Sequence, residues 1–223
     1  MTDRTAPWTQ RDTALWHTCD LAAAMARGEY PTPKQTIASS FPPCYAPDER
    51  FWASGPYSLS LYFAMGDGSY ESSTTIAGGT GLLGMALLAA TATGSAVGNA
   101  RRRREAAALA VPQWHVVQQG VLHASGYGVY LQSAEYGLGS WDWWSLLSAE
   151  MLAPGVVQFQ GRDTGPFVIA SDWAELVFVT WAICRFPGHH QLVTGTWLPE
   201  GWLAHAAAHH PTALRSPALQ LGR

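Results

Sequence analysis

The sequence predicts an α+β fold: an antiparallel β-barrel that carries a long Gly/Ala-rich helical insertion and is closed by a C-terminal helix. Three observations carry this. After Pro112 the chain breaks into short apolar segments punctuated by glycine, the texture of antiparallel strands. Residues 172–186 then read as one strongly apolar helix. Ahead of both, residues 76–98 form a 23-residue run without a single charge, followed closely by Arg101, Arg102, Arg103 and Arg104.

Length and composition bound the function. At 223 residues with 48% hydrophobic side chains, the chain can bury a sizeable core, which excludes wholesale disorder. Charged residues make up only 13%, about half the usual share, so a sticky surface, an oligomer or a membrane contact is expected. A net charge of -3 argues against a general nucleic-acid binder, which needs a basic face. Cys19, Cys44 and Cys184 are odd in number and far apart, so neither a disulfide framework nor a structural zinc site is expected. The N-terminal residues lack an apolar signal segment, and a cytoplasmic location fits best.

In chain order, Asp12 is the expected cap of a helix running to about Ala26, with Leu15, Trp16, Cys19, Ala22, Ala23 and Met25 on its apolar side and Gly28 as its stop. Residues 29–56 hold six prolines and read as an extended connection. Residues 57–65 alternate as a strand, with Leu59, Leu61 and Phe63 on one face. Gly66-Asp67-Gly68 is a tight-turn signal, with residues 69–76 as the partner strand. Within the uncharged run, Ala86, Ala90, Gly94 and Gly98 recur every four residues and form a flat helical ridge for close packing. Helix continues through the arginines to Val111, and Pro112 ends it. Further strands are expected over 114–118, 121–125, 129–133, 141–147, 156–160 and 167–170. The closing helix is expected to start on a capping-box-like pair, Asp172 and Glu175, and to stop at Pro187-Gly188. The tail from Thr212 reads as loosely ordered.

The segments WHVVQQGVLHASGYGVYLQS, WDWWSLLSAEM and GVVQFQG, followed by the helix DWAELVFVTWAI, resemble bacterial PH/GRAM-like domains, in which a barrel of short strands is plugged by a C-terminal helix. The combination of the Gly/Ala run, GNARRRREAAALAVPQW and FPGHHQLVTGTWLPEGW is similar to a set of uncharacterised actinobacterial proteins. The resemblance covers about residues 49–202 and implies fold more than function. It divides the chain into an N-terminal helix and Pro-rich connection (1–48), a PH-like domain with a helical insertion at about 77–111 (49–202), and a His-containing tail (203–223). PH domains that bind phosphoinositides place Lys and Arg in the loop after the first strand. The corresponding Gly66-Asp67-Gly68 has no basic residue, so headgroup binding is not expected there.

The site candidates are few. Gly79-Thr80-Gly81-Leu82-Leu83-Gly84 matches a dinucleotide fingerprint, but the preceding segment is too polar for a buried parallel strand and no acidic residue closes a second one. It reads as a glycine-rich helix start. The uncharged run is long enough to span a bilayer, yet six glycines, six alanines and four hydroxyl residues make it weakly apolar, so packing on protein or a partner ranks ahead of spanning. Arg101, Arg102, Arg103 and Arg104 are the candidate lipid-binding residues. His205 and His209 stand at i and i+4 and are the candidate metal pair, with only alanines between them. His189, His190 and His210 complete a late histidine cluster. Trp141, Trp143 and Trp144 read as barrel core before a ligand-stacking platform. Asp142, Glu150, Asp163, Asp172 and Glu175 show no pairing for acid–base work.

These features predict a non-catalytic binding or scaffold module that self-associates or sits peripherally at the inner face of the membrane. Its expected partners are a protein, anionic lipid or a second copy of the chain, with no nucleic acid and no cofactor. An enzyme whose pocket the sequence does not reveal is the alternative.

Overall fold

The computed structural model describes residues 6–29, 37–65, 101–102, 104–108 and 110–210. Helix α1 (Gln10–Ala26) opens on a reciprocal capping box. Asp12 N donates to Thr9 Oγ1 at 3.1 Å, and Thr9 N donates to Asp12 Oδ2 at 2.8 Å. Thr9 is therefore the cap, and Asp12, expected in that role, is the third helical residue. The helix stops as its sequence predicts: Gly28 N donates to Met25 O at 2.9 Å.

Seven strands follow: β1 (Phe51–Phe63), β2 (Gln113–Ser125), β3 (Gly128–Ser133), β4 (Gly137–Asp142), β5 (Leu146–Ala153), β6 (Val156–Gly161) and β7 (Pro166–Ser171). They form one sheet in the order β4-β3-β2-β1-β7-β6-β5. The registers are antiparallel, with Leu59 opposite Ile169, Val157 opposite Ile169 on the other side, and Val129 opposite Trp141. Strands β4 and β5 lie at opposite edges of the sheet, yet only residues 143–145 join them. Three residues span at most about 10 Å, so the sheet has to curl until its edges approach. The fold is accordingly α+β, built on a curled antiparallel half-barrel. The chain divides into two compact units, Met1–Leu61 with Val116–Arg223, and Tyr62–His115.

Helices α2 (Ala174–Arg185), α3 (His190–Thr194) and α4 (Trp202–His209) complete the chain order. Leu176, Val177, Phe178, Val179 and Ala182 of α2 have no exposed surface, so the helix is buried on nearly every side. It packs on β5, β6, β7 and α1. Each fully buried side chain of this size contributes roughly 1.5–3 kcal/mol, which makes α2 the centre of the core with Leu122, Leu131, Val157, Phe159 and Ile169 of the sheet.

Several expectations need correction. The connection expected over 29–56 ends earlier, because β1 starts at Phe51 and includes Pro56. The break expected between 118 and 121 does not occur: β2 runs through Gly120, where a Cβ would lie 1.9 Å from Gln132 O. Gly120 admits the β3 backbone at close range instead of ending a strand. The strand expected over 141–147 is cut by a turn, because Asp142 Oδ1 accepts Trp144 N at 2.7 Å and Ser145 N at 3.0 Å. The capping box expected at Asp172 and Glu175 is not formed: Trp173 is the cap of α2, without a side-chain bond, and Glu175 is buried. Residues 66–100, with the expected turn, partner strand and most of the helical insertion, lie outside the described residues, as does the tail from 211.

Candidate functional site

The Tyr62–His115 unit exposes large apolar side chains. Tyr62, Phe63 and Met65 follow one another at the end of β1, and Val111 and Trp114 flank the start of β2. Tyr62 is 50% exposed, Met65 63% and Trp114 42%. Tyr62 and Trp114 hold their rings 5.3 Å apart, and Phe63 and His115 hold theirs 4.8 Å apart. Strand alternation sends the adjacent Tyr62 and Phe63 to opposite faces, and a ribbon cannot cover both of its own faces. The same unit carries Arg101, Arg102 and Arg104, all exposed, on helical residues. Arg101 pairs with Glu105 at 2.8 Å across one helical turn. Arg103 lies outside the described residues, as do Ala86, Ala90, Gly94, Gly98 and the 79–84 fingerprint.

The tryptophan block divides by position. Trp143 is buried in the turn, with its backbone N–H donating to Tyr127 O at 3.0 Å, and Trp141 stacks on Phe167 at 5.1 Å. Trp144 is exposed, and the Arg185 guanidinium sits 4.1 Å over its ring.

The late histidines divide: His189 and His190 stand at the start of α3, with His189 against Phe178 and Trp181, whereas His205 and His209 lie on α4, with His210 just past its end, against the start of α1. His205 stacks on Trp8 at 5.7 Å and directs Nε2 toward Asp12 Oδ2 at 3.6 Å. His209 lies 4.5 Å from His205 ring to ring, and its Nδ1 is 3.1 Å from His205 O. His210 packs on Trp8 and Trp16. Trp202 Nε1 donates to Asp12 Oδ1 at 2.9 Å. Burial would raise the Asp12 pKa, but its bonds from Thr9 and Trp202 and the nearby His205 outweigh that and lower it. The candidate metal pair is thus brought together beside one carboxylate, with one ring nitrogen of each imidazole already directed elsewhere. Among the described residues no group of three or more His, Cys, Asp or Glu is placed to hold a metal ion.

The carboxylates serve as ties. Glu175 accepts from Arg11 Nη2 and from Gly155 N at 2.8 Å. Burial pushes its pKa up against the lowering effect of Arg11 and these bonds. Glu49, which the sequence did not single out, is buried and accepts from Ser125 Oγ, from Tyr130 Oη at 2.9 Å and from Tyr45 N at 2.9 Å. Burial, aided by the Cys44 thiol and the Glu49 carboxylate and opposed by the bond from Cys44 N, drives the Tyr130 phenol far above its ordinary value. No local pattern in Pro-Asp-Glu-Arg marks Glu49, because two of its three donors lie 76 and 81 positions away. None of these acids faces another across a cleft in the manner of a catalytic pair.

Two hollows border β5. One, of about 690 Å³, lies between Met151–Pro154 and residues 194–203. The other, of about 390 Å³, is lined by Ser148–Glu150 of β5, Gln158 and Phe159 of β6, and His189–Gln191. Gln191 was invisible in the sequence, since α3 is too short to show a period.

Comparison with protein-family models gives no match, and comparison with curated proteins gives none either.

Proposed function

We propose that this chain is a non-catalytic, PH-like binding module that attaches peripherally to anionic membranes through its Tyr62–His115 unit. The observation that carries the reading is the set of exposed Tyr62, Phe63, Met65 and Trp114 in the same unit as Arg101, Arg102 and Arg104. Trp and Tyr favour the headgroup level, where an apolar body and a polar tip are both accommodated. Arginine adds about 1 kcal/mol per side chain near an anionic surface. Charge distribution agrees: the unit sets four arginines against Asp67, Glu71 and Glu105, in a chain whose net charge is -3. The strand order, two meanders flanking β1 and then helix α2, supports the PH-like reading. Among the described residues no helix is long and apolar enough to cross a membrane.

Flotation with phosphatidylserine vesicles tests this. The chain should float with them, stay behind with phosphatidylcholine vesicles, and lose binding as salt rises. Replacing the four arginines with glutamine, or Trp114 and Tyr62 with serine, should each abolish flotation. Salt-resistant flotation that survives the glutamine variant would refute peripheral attachment.

A further inference from the structure

Strand β5 is an edge of the sheet, and at Met151 that edge is met by a side chain where a strand would lie. Met151 N donates to Gln191 Oε1 at 2.9 Å, and Gln191 Nε2 donates to Met151 O at 2.9 Å. A primary amide presents one donor and one acceptor side by side, the same pair that a residue of an opposing strand presents. Gln191 therefore occupies one rung of an absent ladder. The two hollows meet β5 on either side of that rung. Ala149 is two residues from Met151, so by strand alternation its backbone groups face the same edge, and it lines the smaller hollow. Leu152 and Leu203, both partly exposed, add apolar surface to the larger one.

The geometry points to β5 as the docking edge for an extended peptide bearing a Lys or Arg side chain, with Gln191 as the group that the peptide displaces. The charge follows from the lining: Glu150 stands in one hollow and Glu200 in the other, with no Lys or Arg in either. Residues 194–201 and Leu203 line the larger hollow together with Met151–Pro154, so this stretch of the edge is bordered by the chain's own loop. Main-chain hydrogen bonds would supply affinity and the flanking hollows side-chain preference. This inference concerns the Met1–Leu61 and Val116–Arg223 unit alone and does not depend on membrane attachment.

The test uses the full chain in lipid-free buffer and a fluorescein-labelled synthetic peptide, Lys-Val-Gln-Val-Gln-Val-Lys. Anisotropy should show saturable binding. The same peptide with Glu for both Lys, or with Pro for the central Val, should bind at least tenfold more weakly. Gln191→Ala should bind the lysine peptide about five- to tenfold more tightly, because two hydrogen bonds no longer have to be exchanged. Gln191→Glu, which keeps the shape but cannot donate to Met151 O, should shift affinity in the same direction and covers the case in which the alanine variant folds poorly. Amide exchange gives a second readout: Met151 N–H should exchange faster in Gln191→Ala, and peptide should slow Met151 and Ala149 together. The inference is overturned if neither protein binds at millimolar peptide. Equal binding of the Lys and Glu peptides, or binding that leaves the Ala149 and Met151 amides unprotected, also overturns it. So does a concentration-dependent dimer of Gln191→Ala without peptide, which would assign the edge to a second copy.

Discussion

Replacing Arg11 with methionine should be among the most damaging single changes at the surface of this protein. Arg11 keeps about a quarter of its side chain exposed, whereas its partner Glu175 has none. Met retains most of the length and apolar stem and removes the charge. Glu175 would then be a buried carboxylate that keeps the Gly155 N–H but loses Arg11, with Oε2 already unpartnered. Stranding one partner of a buried pair costs about 3–5 kcal/mol. The exposure of Arg11 places the expected loss at the lower end, about 3 kcal/mol, or a fall in Tm of roughly 6–12 °C for a chain of this size. The loss should depend on pH. Burial raises the Glu175 pKa above its ordinary value of 4.5, so the folded state binds this proton more tightly than the unfolded state. Stability from this group is therefore highest below 4.5 and falls as pH rises through the folded value. Removing Arg11 raises that folded value further and steepens the fall, so the variant should lose less at pH 5 than at pH 8. Adding Glu175→Gln to Arg11→Met should restore at least half of the loss at pH 8, because it removes the stranded charge. Urea unfolding at both pH values measures all three quantities. Equal losses at pH 5 and pH 8, or a double variant no more stable than Arg11→Met, would refute the reasoning.

Other outcomes follow from the same geometry. Gly120→Ala should cost about 3 kcal/mol, the upper end of overpacking, since its Cβ would meet Gln132 O at 1.9 Å; chemical denaturation measures it. Tyr130→Phe should cost about 1–3 kcal/mol, because Glu49 loses a buried donor and Cys44 N loses its acceptor; the same assay applies. Alkylation followed by mass spectrometry should label Cys44 first and spare Cys19, which is buried with its thiol pushed up to about 12 by burial and then by Asp20. Asp12→Asn should flatten the acid side of the stability profile: the lowered Asp12 pKa gives stability that is complete above 3.8 and lost as pH falls through the folded value, so the difference from the parent protein should vanish at the lowest pH.

The sequence was readable where the physics is local. The period of residues 172–186 and the alternation of 129–133 and 156–160 marked α2, β3 and β6 to within two residues. It misled where tertiary contact reassigns a local signal. Glycine at 120 usually punctuates a strand, but β3 backbone packs against it, and the strand continues. Asp172 and Glu175 have cap spacing, yet Glu175 is drawn inward by Arg11, 164 positions away. The run from Trp141 has strand-like aromatics, but the Asp142 carboxylate binds two following N–H groups and turns the chain. For the candidate surfaces, the arginines and the histidine pair were legible by type. The bare Tyr62 and Trp114 and the Gln191 plug were not, since exposure and edge pairing belong to the whole sheet.

With so few charges, the buried acids do a specific job. Glu49 fixes the connection before β1 onto β2 and β3 through Ser125 and Tyr130. Asp12 fixes α4 onto α1 through Trp202. Glu175 fixes α2 to α1 through Arg11 and to the β5–β6 turn through Gly155, whose φ of +77° suits glycine and whose Cβ would meet Arg11 at 2.6 Å. Each acid joins segments far apart in the chain that apolar packing alone would leave free to slide, because dispersion has no direction and a hydrogen-bonded carboxylate does. The same logic makes Gln191 distinctive. Its amide also joins distant segments, but onto a strand edge bordered by a hollow on either side of the rung. The buried acids hold closed contacts, whereas Gln191 holds a contact that can be exchanged.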